Sequence, residues 1–375
     1  MKPVLDFLIR VCSAGRFFPV ILVALSLLVS GCDAVDQDEE EKGGQGSSSG
    51  GIADDEDPLL EGLPFLLQDP NNHSIKEKMG VTETGTAGVT ATFNALHAFL
   101  QKTSSDLADT SGAHYPVIVE EKDIRLGDWI DLEGGLTVSA HTGGGDFSLN
   151  ATDAMADMTF NDEPWGKKSR LIVVGINSFR NGGYNEKSPY EYQGTDTPPR
   201  HIVFQFQNVP GKELRMNPED TTDGGYEASE MRQYLTGNFL AGLNAAGVPE
   251  NVLWAPTRAV STGNGEAAKI TDLLWLPTER EMFGNGPFTH MTPPGPYASD
   301  EETENNQARL EYYTSYNSRI KLVTIENASA SAGTLYWMAS MPASGHGPAF
   351  LHVCIDGRTH DSTLNLAAAP AFCVK

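Results

Sequence analysis

The residues of this sequence whose types could bind a metal lie together near its C-terminal end: His346, His352, Cys354, His360 and Asp361. Imidazole nitrogen and thiolate sulfur are ligands that zinc and copper prefer. His352 and Cys354 are two residues apart, so they would share one face of a strand. The spacing matches no closed set of ligands, and ordinary strand and loop positions also explain it. We therefore expect no metal or other cofactor, with a metal site as the alternative.

Four cysteines occur in the chain: Cys12, Cys32, Cys354 and Cys373. The last two lie in short apolar runs within the part that is expected to fold. A disulfide between Cys354 and Cys373 is one prediction, because disulfides persist in exported proteins. Two buried free thiols are the alternative, since the sequence does not give the Cα–Cα separation of about 4.4–6.8 Å that a bridge requires.

The chain begins with the features of a secretory signal. Three basic residues precede or adjoin a nearly unbroken apolar stretch, Phe17–Val29: Lys2, Arg10 and Arg16. The stretch is shorter than the ~20 residues of a membrane-spanning helix. Its ending, Val29-Ser30-Gly31-Cys32, is similar to the lipobox of bacterial lipoproteins. That resemblance implies removal of residues 1–31 and lipid attachment to Cys32, with an ordinary signal peptide or a retained N-terminal anchor as alternatives.

Residues 32–78 have the composition of a tether. Two acidic runs, Asp38–Glu41 and Asp54–Asp57, flank the glycine- and serine-rich stretch Gly43–Gly51. Such a chain has too little apolar surface to form a core, and its charges repel one another. The sequence predicts a solvated spacer that follows the anchor, and an acidic binding tail is the alternative.

The balance of charge excludes one class of partner. The chain has 26 Lys and Arg residues against 50 Asp and Glu residues, which gives a formal net charge of −24. A surface so acidic repels phosphate backbones, so we expect no nucleic-acid partner. The expected partners are the membrane, through the N-terminal lipid, and a protein or glycan ligand.

The element that would position the rest of the fold is a short corner, Asp272–Glu281. Leu273–Leu276 is an apolar run too short for a helix, and it predicts a buried strand. Pro277 ends this strand because proline has no N–H group to donate. Thr278 and Glu281 then have the spacing of a capping box, which predicts a short helix directly after the turn.

Two helices and several strands are predicted around this corner. Apolar residues at helical spacing predict helices in 89–101 and 223–235. Trp129–Leu132 and Leu136–Ala140 flank a glycine-containing turn, which predicts a β-hairpin. Further strands are expected from their apolar content: 171–176, 201–208, 251–256, 336–340, 350–355 and 371–374.

Five short motifs follow one another along the chain. They are Gly224-Gly225-Tyr226 with Ser229–Arg232 and Leu235, Leu274–Glu281, Tyr336–Ser340, Val353 with Gly357, and Pro370–Phe372. This set resembles a bacterial domain family of unknown function, whose order of elements is similar to the C-type lectin superfamily and its formylglycine-generating-enzyme-like branch. The resemblance covers about 124–374. It implies a single α+β domain at 79–375, C-type-lectin-like, with a twisted antiparallel sheet, two flanking helices and long loops.

Departures from the family pattern narrow the expected activity. The calcium- and sugar-binding motifs of C-type lectins, Glu-Pro-Asn and Trp-Asn-Asp, are absent from the sequence, so calcium-dependent sugar binding is not expected. Cys354 and Cys373 lack the paired-cysteine context that formylglycine-generating enzymes use with copper. We therefore expect binding and no catalysis. A formylglycine-generating or metal-dependent enzyme and a structural envelope lipoprotein are the alternatives.

These features together predict an exported lipoprotein that displays a binding domain. The resemblance implies ligands on loops near the C-terminal strands, and we name three segments the ligand loops: 179–200, 284–306 and 341–348. The candidate ligand-binding residues in the tail are Ser344, His346, Arg358 and His360. We expect the protein in the cell envelope, at the outer membrane or cell surface in preference to the inner membrane.

Overall fold

The structure is a computed structural model, and the residues that it describes begin at Asn72. They all belong to the second of the two units into which the chain divides, Glu56–Lys375. The described residues are 72–102, 124–139, 147–149, 157–160, 163–167, 169–179, 199–209, 214–217, 221–261, 267–283, 310, 312–313, 319, 321–324, 331–334, 336–341, 350–353, 359–362 and 366–375. The predicted signal, lipidation site and most of the predicted tether lie outside them. Within the described residues, no helix is both long and apolar enough to span a membrane.

Residues 72–78 belong to the folded unit, and this moves the predicted end of the tether. A short helix, α1, runs over Ile75–Lys78. Ile75 is fully buried in the core, and Lys78 Nζ donates to Asp128 Oδ2 at 2.6 Å. The acidic and glycine-rich composition ends before this point, so an apolar side chain and a lysine are available to dock the segment.

The described elements are mostly short, and helices and strands occur in separate runs along the chain. The helices are α1, then α2 Gly85–Lys102, α3 Gly225–Ala228, α4 Glu230–Tyr234, a π-helix Leu235–Phe239, α5 Leu240–Ala245, a 3₁₀-helix Glu250–Val252 and α6 Glu279–Phe283. The strands are β1 Trp129–Asp131, β2 Leu136–Val138, β3 Phe147–Leu149, β4 Asp157–Phe160, β5 Glu163–Lys167, β6 Arg170–Ile176, β7 Ile202–Phe206, β8 Leu253–Trp254, β9 Thr257–Ser261, β10 Ala267–Thr271, β11 Leu274–Trp275, β12 Lys321–Thr324, β13 Ser331–Thr334, β14 Tyr336–Trp337, β15 Phe350–Val353, β16 Thr359–Ser362 and β17 Ala371–Val374.

The largest sheet has six strands in the order β1-β6-β7-β17-β11, with β8 also paired to β17. Every pairing within it is antiparallel. One edge of β17 pairs with β7, and the other edge is divided between β11 and β8. Phe372 lies opposite Leu274 of β11, and Cys373 lies opposite Trp254 of β8. Helices together with antiparallel sheets confirm the predicted α+β class.

The first predicted helix covers one face of this sheet. The ring of Phe93 on α2 lies 5.8 Å from Phe204 and 6.2 Å from Phe372. The other residues at helical spacing, Val89 and Leu96, are buried with it. The predicted helix is therefore confirmed, and it begins four residues earlier, at Gly85. The second predicted helix is divided in two, because Ser229 between α3 and α4 has an extended backbone and caps α4; from α4 the helical path continues past Leu235 through the π-helix and α5.

The predicted hairpin between 129–132 and 136–140 is wrong. The two strands form at β1 and β2, but β1 pairs with β6 and β2 pairs with β3. Asp131 accepts hydrogen bonds from Arg170 across the β1–β6 pairing, at 2.8 and 3.1 Å. The Arg170 guanidinium also lies 4.4 Å from the ring centroid of Trp129. These contacts between residues distant in sequence favour β6 over the nearer strand as the partner.

Candidate functional site

The corner predicted from the sequence forms as a capped helix start. The main-chain N–H of Thr278 donates to Glu281 Oε2 at 2.7 Å, and the N–H of Glu281 donates to Thr278 Oγ1 at 3.2 Å. These reciprocal bonds are those of a capping box and satisfy two N–H groups at the start of α6. Both side chains are fully buried. The turn between β11 and α6 is therefore fixed by its own residues.

A buried ion pair ties this corner to β9. Arg258 Nε and Nη2 donate to the two carboxylate oxygens of Glu281, each at 2.7 Å. Nη2 also donates to the Leu276 carbonyl at 3.0 Å, and the guanidinium lies 4.9 Å from the Trp275 ring centroid. The side chains of the pair are 1% and 0% exposed. Glu281 thus neutralises a buried cation and caps a helix with one carboxylate.

The described ends of the ligand loops meet at this corner. The ring of Phe179, at the start of the first loop, lies 5.8 Å from that of Trp275. Just after the second loop, the N–H of Leu310 donates to a main-chain carbonyl of α6 at 2.8 Å. Just before the third, the N–H of Ala339 donates to the Pro277 carbonyl at 3.0 Å. Three segments far apart in sequence are therefore joined to one short element.

Two further buried hydroxyl groups hold the corner in place. The N–H of Glu279 donates to Ser340 Oγ at 2.7 Å, and the N–H of Leu276 donates to the Tyr226 hydroxyl at 3.2 Å. Burial raises the pKa of Tyr226 well above its ordinary value, so this phenol stays neutral at physiological pH. The N–H groups on both sides of the turn consequently have acceptors. A buried turn with these main-chain N–H groups paired is a rigid base for the chain that leaves it.

An aromatic cluster lies next to the corner, and we define it as Phe179, His201, Trp254 and Trp275. The His201 ring centroid is 4.6 Å from that of Trp254 and 5.8 Å from that of Phe179. His201 and Trp275 are fully buried, whereas Phe179 and Trp254 are partly exposed. Partly exposed aromatic rings held by a packed base are common at the centres of binding surfaces.

A second buried polar group lies on β12. Lys321 is 1% exposed, and its ammonium group donates to the main-chain carbonyls of Phe206 and, at 3.4 Å, Gln207. Its Nζ lies 5.6 Å from the ring centroid of Tyr336. Burial lowers the pKa of Lys321 to about 7. The amine therefore joins β12 to the end of β7 and changes its charge near neutral pH.

The structure reaches only some of the predicted site residues. The following lie outside the described residues: Cys32, Ser344, His346, Cys354 and Arg358. His360 lies in β16, and the strand register places it opposite His352 of β15. Cys373 is buried, and burial together with nearby Glu281 raises the pKa of its thiol well above the ordinary value. The predicted disulfide and the tail ligand-binding residues stay predictions.

Three buried polar side chains of this region were not predicted from the sequence: Arg258, His201 and Lys321. A cation inside an apolar stretch was an available signal, since Ile320-Lys321-Leu322-Val323 places a lysine in a strand-like run. A lone histidine before a strand carries no such signal. Its role depends on contacts with Phe179 and Trp254, which the sequence does not show.

Comparison with known proteins identifies no relative: no family model, no curated protein and no solved structure matches this chain. Within the described residues, no group of three or more His, Cys, Asp or Glu side chains could hold a metal ion. Function is therefore inferred from the chain's own residues. The candidate site consists of the corner, the aromatic cluster and the described ends of the ligand loops that meet at the corner.

Proposed function

We propose that this protein is a lipid-anchored extracytoplasmic binding protein with a C-type-lectin-like fold. Its ligand, a protein or a glycan, binds at the aromatic cluster beside the corner. The observation that carries the proposal is the meeting of the ligand-loop ends at one buried, fully capped turn. The sequence adds a lipobox-like ending at Cys32 and an acidic spacer, which together suit a domain displayed away from a membrane.

The geometry supports binding through the partly exposed rings of the cluster. Trp254 and Phe179 present aromatic surface, while buried His201 and Trp275 hold them from behind. An aromatic side chain with few rotatable bonds loses little conformational entropy when it makes a contact. Aromatic residues of this kind carry a large share of the free energy at binding surfaces.

Retention of envelope components by the immobilised chain tests the ligand site. The reference is the full chain carrying Cys32→Ser, a substitution that prevents lipid attachment. It is compared with a chain that carries both Cys32→Ser and Trp254→Ala. We expect the retained component to bind the Trp254 variant at least tenfold more weakly, as for a binding hot spot. The matched control is Trp129→Ala, because Trp129 is also partly exposed but lies on β1, at the opposite edge of the sheet.

Two results would contradict the ligand site. One is that wild-type chain retains no envelope, host or glycan component. The other is that Trp254→Ala and Trp129→Ala weaken binding equally.

The anchor is tested separately, by metabolic labelling with a radioactive fatty acid. Label should appear on wild-type chain and be absent from Cys32→Ser, and protease treatment of intact cells then distinguishes a surface domain from a periplasmic one.

A further inference from the structure

His201 joins two chain segments through both nitrogens of its ring. The N–H of Phe179 lies 3.1 Å from His201 Nε2, and His201 Nδ1 lies 2.9 Å from the Pro199 carbonyl oxygen. The main chain of His201 is also paired with Asn177: its N–H donates to Asn177 Oδ1 at 2.9 Å, and its carbonyl accepts from the Asn177 N–H at 2.8 Å. The imidazole therefore closes the base of a connection more than twenty residues long between β6 and β7.

These two ring contacts require one form of the imidazole. A main-chain N–H can only donate, so Nε2 must accept from Phe179 and carry no proton. A carbonyl oxygen can only accept, so Nδ1 must carry the proton that it donates to Pro199. The imidazolium ion has a proton on both nitrogens. Protonation of His201 would direct an N–H at the N–H of Phe179, and this hydrogen bond would be lost.

The surroundings of the ring are mostly aromatic. Phe179 stacks on His201 at an interplanar angle of 29°, and Trp254 packs against it at 43°. Among the described residues, the charged or titratable groups of the adjoining segments are Arg200, next in the chain, Cys373 and Lys375 on or after β17, and the Arg258–Glu281 pair beside Trp275. Arg200 is itself 7% exposed. The ring therefore lies between two aromatic side chains and next in the chain to a buried arginine.

We propose that His201 is a pH-sensitive clasp, which ties Phe179 to Pro199 only while its imidazole is neutral. Histidine ordinarily changes charge between about pH 5 and 8, the range in which such a device would act. Opening the clasp releases Phe179, one of the two partly exposed rings of the aromatic cluster. Weaker ligand binding in acid follows from this, a consequence that rests on the proposed function, whereas the clasp itself does not.

Hydrogen exchange of the full chain carrying Cys32→Ser tests the clasp without any ligand. The readout is protection of the amide of Phe179 at pH 8 and pH 5, corrected for the intrinsic effect of pH on exchange. We expect protection in wild-type chain to fall on the order of fivefold in acid, the effect of one neutral hydrogen bond. An amide in the middle of α2, such as that of Phe93, should keep its protection.

Two variants separate the clasp from general acid effects. His201→Gln places a non-titrating acceptor near the position of Nε2, so its Phe179 protection should be equal at both pH values. His201→Phe keeps an aromatic ring but has no acceptor, so protection should be low at both. Should the phenylalanine variant fail to fold, nitrogen-15 spectra of labelled histidine in wild-type chain decide whether His201 carries its proton on Nδ1 at pH 8.

The clasp is overturned if wild-type protection is the same at both pH values, if His201→Gln remains pH-sensitive, or if the proton lies on Nε2. The ligand step is read separately, from retention of the envelope component at pH 8 and pH 5. Loss of retention in acid by wild type but not by His201→Gln supports the whole proposal. If Phe179 protection depends on pH but the chain retains no envelope component, the clasp is supported and the proposed function is refuted.

Discussion

Two buried cations in this domain are held in opposite ways. Arg258 meets both oxygens of Glu281 at 2.7 Å, with both side chains out of water. Lys321 is equally buried, yet within the described residues its contacts are two main-chain carbonyls and the Tyr336 ring. One site contains a matched pair of charges, and the other contains a charge opposed only by dipoles.

The difference follows from the chemistry of the two side chains. A guanidinium group keeps its proton in proteins, so the buried charge of Arg258 is balanced by the carboxylate of Glu281. An amine can lose its proton, and burial lowers the pKa of Lys321 to about 7. The contact between β12 and β7 is expected to change with pH.

Removal of Glu281 should have the largest effect on stability. Glu281→Ala leaves Arg258 buried without its carboxylate and removes half of the capping box. We expect the free energy of unfolding to fall by about 3–5 kcal/mol, the usual result of breaking one side of a buried ion pair. Urea denaturation at pH 7.5 measures it, provided that the transition is two-state.

The double variant Arg258→Met/Glu281→Leu is the control for that experiment. It removes both charges, so it should be more stable than Glu281→Ala alone. A double variant less stable than the single one would show that the cost lies in lost packing or capping and not in the unpaired cation. The contrast between the two buried cations would then not hold.

Substitution of Lys321 should raise the free energy of unfolding, whereas removal of Glu281 should lower it. Because the pKa is lower in the folded chain than its ordinary value of 10.5, the unfolded chain binds more protons between about pH 7 and 10.5. The free energy of unfolding of wild type therefore rises with pH across that window, by up to about 1.4 kcal/mol per unit. Lys321→Met should remove this slope and add about 2 kcal/mol at pH 6.

Unfolding curves at pH 6, 7.5 and 9 measure this effect. Wild type and Lys321→Met should differ most at pH 6 and least at pH 9. The carbonyls of Phe206 and Gln207 lose a donor in the variant, so the gain is smaller than the full cost of the buried charge. Parallel pH profiles for the two proteins would mean that Lys321 does not titrate in this window.

The smallest effect is expected at a more exposed ion pair, which isolates the role of burial. Arg232 Nε and Nη2 donate to the two oxygens of Asp272 at 2.8 and 2.9 Å, so the geometry resembles that of Arg258 and Glu281. The Arg232 side chain, however, is 27% exposed. Asp272→Asn should cost about 1 kcal/mol, because the cation that it leaves behind is partly exposed and is screened by solvent. A loss as large as that of Glu281→Ala would show that geometry matters more than burial.

Local features of the fold were predictable from the sequence. The capping box at Thr278 and Glu281 is a short-range pattern, and both of its hydrogen bonds form. The helix around Phe93 and the strand at 371–374 were likewise predicted, because each depends on the spacing of its own apolar residues. The antiparallel α+β class is confirmed, while the finer C-type-lectin-like assignment stays a proposal.

Long-range features were not predictable, for a physical reason. The partner of β1 depends on Arg170, which lies 39 residues from Asp131. The role of His201 likewise depends on which atoms face its two ring nitrogens. A single sequence shows residue types and local spacing. It gives no distance between segments, so the aromatic cluster and the pairing of Arg258 with Glu281 become visible only in three dimensions.

The position of β17 in the sheet has a consequence for how the protein is made. Its main neighbour, β7, precedes it by more than 160 residues, and the strands on its other edge, β8 and β11, precede it by about a hundred. The centre of the sheet therefore cannot close until the chain has emerged through Val374. Such non-local pairing slows folding. For the export proposed above, slow closure would keep the chain unfolded for longer.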